Sequence, residues 1–376
     1  MTPVTDSQLI ARMAFAALKG MTRSLAEELL ARIDSEEAFF EATDRQLAAV
    51  MGFQSKLFDR AYRDKLLEDA RKEADFVAGN AVRTIYFTDP DYPVRLADCP
   101  DAPLLMYASG ECDLNSALTV GVVGTRHATP YGIEFTRSLV EELAAKVDGN
   151  VVIISGLAFG IDIEAHQAAL RCGLPTIAVL AHGLNTIYPA QHRSAAAKIA
   201  LGGGMLLTDY RSSDAIHRSN FLARNRIVAG LSDCLVVSES AEKGGALVTA
   251  RIANDYGRDV FALPGRVADK YSSGCNKLIA DNMAALITGG DRLISAMRWP
   301  VKSVGPVQQS LFVELSPEEE IVADYLREHG EGHINTMTVE LGIGIGRLTG
   351  LLIEMEFKGL VTPFPGGKYR PARGLL

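Results

Sequence analysis

The sequence predicts an α/β fold around a mostly parallel sheet, with a helical domain before it and a small domain after it. Three observations carry this. Six short apolar runs recur through the middle of the chain, bounded by glycine, proline or polar residues. Between them lie stretches of helical periodicity, and apolar strands joined by one-helix crossovers make a parallel sheet covered on both faces. The length, 376 residues, exceeds what one hydrophobic core usually holds, so two or three domains are expected.

Residues 1–81 form the helical domain. LIARMAFAALKG, SLAEELLARI, QLAAVMG and SKLFDRAYRDKLLEDARKEADFV carry apolar residues at helical spacing. The turn LKGMT, with Ser24 just before a helical run, suits a plain packing or interaction module, with a helix-hairpin-helix DNA contact as the lesser alternative. Residues 82–297 form the sheet domain. After IYF and LLMYASG come the expected strands LTVGVVG (118–124), NVVIISG (150–156), PTIAVLA (175–181), GMLLTD (204–209), DCLVVSE (233–239) and DVFALP (259–264). A linker is expected at 298–312, where RWPVKSVGPVQQ has two prolines and little periodicity. Residues 313–376 suggest three helices and a hairpin, a winged-helix pattern. With six Lys or Arg against ten Asp or Glu, that domain is too acidic for a phosphate grip of its own.

Composition excludes several classes. Apolar content of 48% with 22% charged residues describes a globular chain, and its glycine-broken apolar runs are too short for a membrane span. MTPVTDSQLIARMAF does not resemble a secretion signal, so a cytoplasmic location is expected. The cysteines Cys99, Cys112, Cys172, Cys234 and Cys275 are scattered, which suits a reducing compartment and neither a disulfide framework nor a structural zinc. The net charge of -8 argues against polyanion binding over the whole surface but leaves room for one basic cleft.

Three glycine turns lie where strands give way to helices, the place where open α/β sheets bind ligands. In GVVGTRHATPYG (121–132), Gly124 admits close backbone approach and the following helix start suits an anion. Arg126 follows that turn, as an anion ligand or a plain surface arginine. Neither a full GxGxxG nor a GxxxxGK(S/T) is present, so no dinucleotide or ATP cofactor is expected. In SGLAFGIDIEAHQAAL (155–170), Ser155 and Gly156 end a strand, and Asp162 and His166 share a helix face. Two ligands are too few for a metal, and capping with loop ordering is the preferred role for Asp162. KGGALVTARIA (243–253) adds a third anion-ready turn at Gly245, and LPGRV places Arg266 near a strand end.

Residues 211–230 hold Arg211, Arg218, Arg224 and Arg226 against Asp214 alone, a local charge of +3 with His217 beside it. Phe221 next to Arg224 offers a stacking face beside phosphate donors, the combination that single-stranded nucleic acid requires. Asn225 would cap a helix or hydrogen-bond a base. From the residues alone, this is an anion cleft.

DPDYPVRLADCPDAPLLMYASG, VVGTR, SGLAFGIDIEAH, TIAVLAHGLNTIYP, FLARNRIVAG, GGALVTARIA and LPG closely resemble, in order, the DNA-processing protein A (DprA, or Smf) family. The resemblance implies an extended Rossmann-like domain that binds single-stranded DNA without turnover, protects incoming DNA in natural transformation and loads the RecA recombinase. It further implies a homodimer through that domain, a SAM-like or helix-hairpin-helix N-terminal domain and a winged-helix tail. Arg126 falls on the family's loop arginine, and Phe221, Arg224 and Asn225 on its phenylalanine–arginine–asparagine motif. Gly124, Arg126, Ser155, Gly156, Phe221, Arg224, Asn225, Arg226 and Gly245 are therefore the expected DNA-binding residues. Where relatives often carry a lysine, this chain has Ala190-Gln191 after Tyr188-Pro189, with His192 and Arg193 as substitutes. The rival reading is a phosphoribohydrolase-like enzyme acting on nucleotides, whose PGGxGTxxE glutamate has no counterpart after Thr249.

Overall fold

A computed structural model describes residues 6–115, 117–302, 315–364 and 366–372. Two compact units appear, Met1–Lys302 and Ser303–Leu376. The expected linker from residue 303 on lies outside the described residues.

The larger unit is built on a nine-stranded sheet: β1 (Arg83–Tyr86), β2 (Leu105–Gly110), β3 (Leu118–Val123), β4 (Val151–Ser155), β5 (Thr176–Val179), β6 (Met205–Thr208), β7 (Cys234–Val237), β8 (Asp259–Ala262) and β9 (Ala285–Leu286). Their order is β1-β2-β6-β5-β4-β3-β7-β8-β9. All six expected central strands are present and parallel. β1 and β2 pair antiparallel at one edge, and β9 adds a short parallel strand at the other. Chain order reverses between β3 and β7, so the loops after β3, β4 and β7 open together at the carboxyl ends of the central strands, where such folds hold ligands.

Alternation along each strand decides the two cores. Val120 and Val122 of β3, Ile153 of β4 and Val236 of β7 face the helices 130–146, 161–171 and 290–297. Val152, Ile154, Ile177, Val179, Leu235 and Val237 face the opposite side. That second core continues without a break into the N-terminal helices through Phe15, Phe39 and Leu47. The helical region is thus packed on the sheet. Glu73 of helix 60–79 accepts hydrogen bonds from Ser212 N and Oγ, the latter at 2.6 Å. Within the bundle Arg63, fully buried, donates to the carbonyls of Phe39, Phe40 and Phe58 and pairs with Asp44 at 2.9 Å. Helix 23–32 starts two residues earlier than Ser24 suggests, because Thr22 is the cap and accepts from Leu25 N.

The smaller unit has helices 317–329, 334–340 and 345–357, and a three-stranded sheet of 332–333, 361–364 and 368–371. Its separate core is Val322, Leu326, Met337, Leu348, Leu352 and Met355. No single helix among the described residues is long and apolar enough to cross a membrane.

Candidate nucleic-acid interface

The loops after β3 and β4 are locked together by close backbone approach. Thr125 N donates to Glu239 O at 2.8 Å, and Ile161 N donates to Thr125 O at 3.2 Å. Gly160 has φ 76°, and a Cβ there would lie 2.2 Å from Thr125 O. A Cβ on Gly124 would lie 2.4 Å from Cγ1 of Ile161. Only glycine satisfies either position. Ser155 is fully buried and its Oγ donates to Val122 O at 2.6 Å, so it ties β4 to β3 from below.

Beneath these loops sits Arg224, 5% exposed. Its guanidinium donates to Val179 O at the end of β5 and lies against Gly156, where a Cβ would come within 2.3 Å of its Cζ. Asp162 is buried nearby in the first turn of helix 161–171, its Oδ2 accepting from Ala158 N at 3.4 Å. Burial raises the Asp162 carboxyl pKa, and the positive charge of Arg224 opposes that rise. Burial likewise pulls the Arg224 guanidinium down, with Asp162 opposing. Asp162 therefore orders the glycine loop, but it does not cap the helix as expected: the N-cap is Gly160, without a side-chain cap bond.

His166 turns away from this pair. Thr176 Oγ1 donates to Ile153 O, so it accepts from His166 Nδ1, 2.7 Å away, and Nε2 carries no proton. Burial, with Arg224 and His192 adding to it, lowers the His166 pKa to about 3. Among the described residues no group of His, Cys, Asp or Glu forms a metal site.

Above the loops lies an exposed surface of aromatic rings and one arginine. The Arg126 guanidinium sits 5.4 Å from the centroid of Phe221. Tyr188 meets the same ring edge-on at 5.6 Å and is 49% exposed. Phe159, 40% exposed, packs edge-on against His192 at 4.8 Å. Histidines hold this surface in place: His182 Nε2 accepts from Tyr188 N at 3.1 Å, and His192 Nδ1 donates to Leu157 O at 2.8 Å. Arg126 makes no ion pair among the described residues, unlike most arginines of the chain.

The basic cluster itself is divided. It forms two short helices, 218–223 and 225–231. Arg211 pairs with Asp214 at 2.9 Å. Arg226 pairs with Asp209 at 2.5 Å and lines a separate cavity with Met13, Met21 and Leu104. Arg218 and His217 are exposed, and Asn225, half-buried, opens the second helix. Gly245 is exposed at the start of helix 245–255 with open space around it.

Thus Arg126 and Phe221 come together at the surface, with Gly124, Ser155, Gly156 and Arg224 stacked beneath them, while Arg226 does not join them. Sequence reasoning passed over Phe159 and Tyr188 as aromatic surface. Both lie in motifs it quoted, but the contact of Tyr188 with Phe221 and of Phe159 with His192 depends on separate loops meeting. The glutamate nearest to an enzymatic reading, Glu239, is buried and accepts from Thr129 N at 2.8 Å and from Thr129 Oγ1 at 2.5 Å, holding the start of helix 130–146.

The fold and these loops define a Rossmann-like protein whose strand ends carry an aromatic surface and an unpaired arginine. A family profile described as DNA recombination-mediator protein A matches residues 83–298. Protein Smf of Synechocystis is 30% identical over 95% of this chain and 97% of its own length. Protein Smf of Escherichia coli is 34% identical over 75% of each chain. The crystal structure of DNA processing protein A from Streptococcus pneumoniae superposes with TM-score 0.63 at 29% identity, covering 78% of this chain and 98% of that one. A second structure, of the Helicobacter pylori protein and concerned with its single-stranded DNA binding mode, gives TM-score 0.51 at 31% identity over 58% of this chain and 95% of that one. This chain belongs to the DNA recombination-mediator protein A family.

Proposed function

We propose that this chain binds single-stranded DNA across the segments after β3, β4, β5 and β6, protects it and delivers it to the RecA recombinase. The observation that carries the reading is Arg126, exposed and unpaired, lying over the ring of Phe221 with Tyr188 at its edge. A cation beside open aromatic rings offers phosphate attraction and base stacking at once, and both tolerate any sequence. Gly124, Gly156, Asn225 and Gly245 contribute close backbone or polar approach along the same loop rim. Arg224 and Ser155 act from below, as positioning residues that hold the Gly156 loop on the sheet. Arg226 keeps Asp209 neutralised and does not reach the strand. The reading involves no turnover, and the hydrogen bonds that tie Glu239 to Thr129 give that glutamate a structural role in it. It also takes the protein to act in the cytoplasm as a homodimer, and the acidic small unit as a winged helix with a protein partner.

The test is fluorescence anisotropy with labelled single-stranded and duplex oligonucleotides over a salt series, for wild type, Arg126→Ala and Phe221→Ala. The reading expects preference for single strands. Arg126→Ala should flatten the slope of log K against log salt by about 0.7, the contribution of one phosphate contact. Phe221→Ala should cost about 1–3 kcal/mol and leave the slope unchanged. Wild-type behaviour from both variants would overturn the assignment.

A further inference from the structure

A cavity of about 830 Å³ opens after β3, β7 and β8, lined by Thr129, Tyr131, Glu239, Arg266, Lys270 and Tyr271 among others. It adjoins the surface described above. His127, next in the chain to Arg126, stacks on Tyr271 with ring centroids 6.3 Å apart and an interplanar angle of 29°. Lys270 Nζ lies 5.3 Å from the centre of the same ring. The line of rings and cations therefore runs on from Tyr188 and Phe221, through Arg126 and His127, to Tyr271 and Lys270.

The cavity is built and not merely left over. Ser240 N donates to Tyr271 O at 2.7 Å, and Tyr131 OH donates to Pro264 O at 2.8 Å. The amide of Asn276 brackets Gly265, accepting from its N at 3.1 Å and donating to its O at 2.9 Å. Arg266 and Lys270 are exposed and make no ion pair among the described residues. Their charge is matched in number by exposed Asp269 and buried Glu239, so this is not a simple phosphate site. The Glu239 carboxylate, held by Thr129, repels phosphate from the floor, while the aromatic wall offers a stacking face. Arg266 and Lys270, exposed on the cavity lining, supply the cations for flanking phosphates.

We propose that this cavity is a second subsite for the same single strand, taking an unstacked base against Tyr271 with its flanking phosphates at Lys270 and Arg266. The inference rests on the single-strand reading above and extends it by the residues after β8.

The test measures binding of the full chain to single-stranded oligonucleotides from roughly 4 to roughly 16 nucleotides long, the range of site sizes for such surfaces. Variants are Tyr271→Ala, Lys270→Ala and Arg266→Ala, each checked for an unchanged unfolding midpoint. Long oligonucleotides should bind Tyr271→Ala about tenfold more weakly, a loss within the range for one stacked base. Each lysine or arginine variant should flatten the salt slope by about 0.7 for long strands. The shortest strands, held at Arg126 and Phe221 alone, should bind all three variants as they bind wild type. Lysine and arginine substitutions remove only exposed charge, so the proposal stays testable even if Tyr271→Ala unfolds.

Wild-type affinity at every length would overturn the second subsite. So would an equal loss at every length, or saturable binding of free dAMP that an oligonucleotide does not displace. Failure of the single-strand reading itself looks different: Arg126→Ala and Phe221→Ala would then bind every length as wild type does.

Discussion

At the scale of residues, Arg126 and Arg224 do opposite work. Arg126 is exposed and Arg224 is buried against Gly156 with Val179 O as its acceptor. Arg126→Ala should weaken DNA binding while the denaturant midpoint stays put. Arg224→Ala should lower stability by about 2 kcal/mol, because a buried carbonyl and the Asp162 carboxylate lose a charged partner. Denaturant titration of both variants separates the roles. His166 supplies a pH signature. Its folded pKa lies near 3, below the value of about 6.5 in an unfolded chain, so the unfolded state binds more protons between those limits. Stability is unaffected by this group above about pH 6.5 and falls as pH drops below it. From about pH 6.5 to about pH 5 the loss should approach about 2 kcal/mol. His166→Asn, which keeps a donor for Thr176, should remove that part of the pH dependence in urea titrations.

At the scale of elements, the loops after β3 and β4 act as one body. Ile161 N bonds to Thr125 O, and Gly160 sits at positive φ with no room for a Cβ beside that carbonyl. Gly160→Ala should cost about 1–3 kcal/mol in strain and contact, and should weaken DNA binding by moving Arg126. The glycine loops and all six central strands were legible in the sequence, because turn chemistry and period are local. The cap of helix 23–32 was misplaced by two residues, as Thr22 and Ser24 are chemically equivalent candidates and only geometry chooses between them. Helix 36–41 was not foreseen, since a six-residue EEAFFE run is too short for periodicity to register.

For the molecule as a whole, the division falls between two units with separate cores. A change of sequence texture near residue 82 marks the start of the sheet, yet Phe15, Phe39 and Leu47 share the core of the sheet's helix-covered face. A chain ending at Lys302 should therefore fold and keep its affinity for single-stranded oligonucleotides, measured by anisotropy beside the full chain. A chain beginning at Val82 should be unstable, because that core would be stripped on one side. Circular dichroism melts of the two truncations check both outcomes.

By itself the sequence determined the sheet, its crossovers, its glycine turns and the family resemblance, all of which rest on patterns of near neighbours. Which charges are available to a ligand was decided only by tertiary structure. Arg226 is neutralised by Asp209, seventeen positions earlier, and Arg224 is drawn under the loop by Val179 O, forty-five positions earlier. Tyr188 meets Phe221, and His127 meets Tyr271, only when loops from different strand ends come together above the sheet. The physical reason is range. Backbone propensity acts over a few residues, whereas charge pairing and ring contact act through space between residues that the chain order keeps apart.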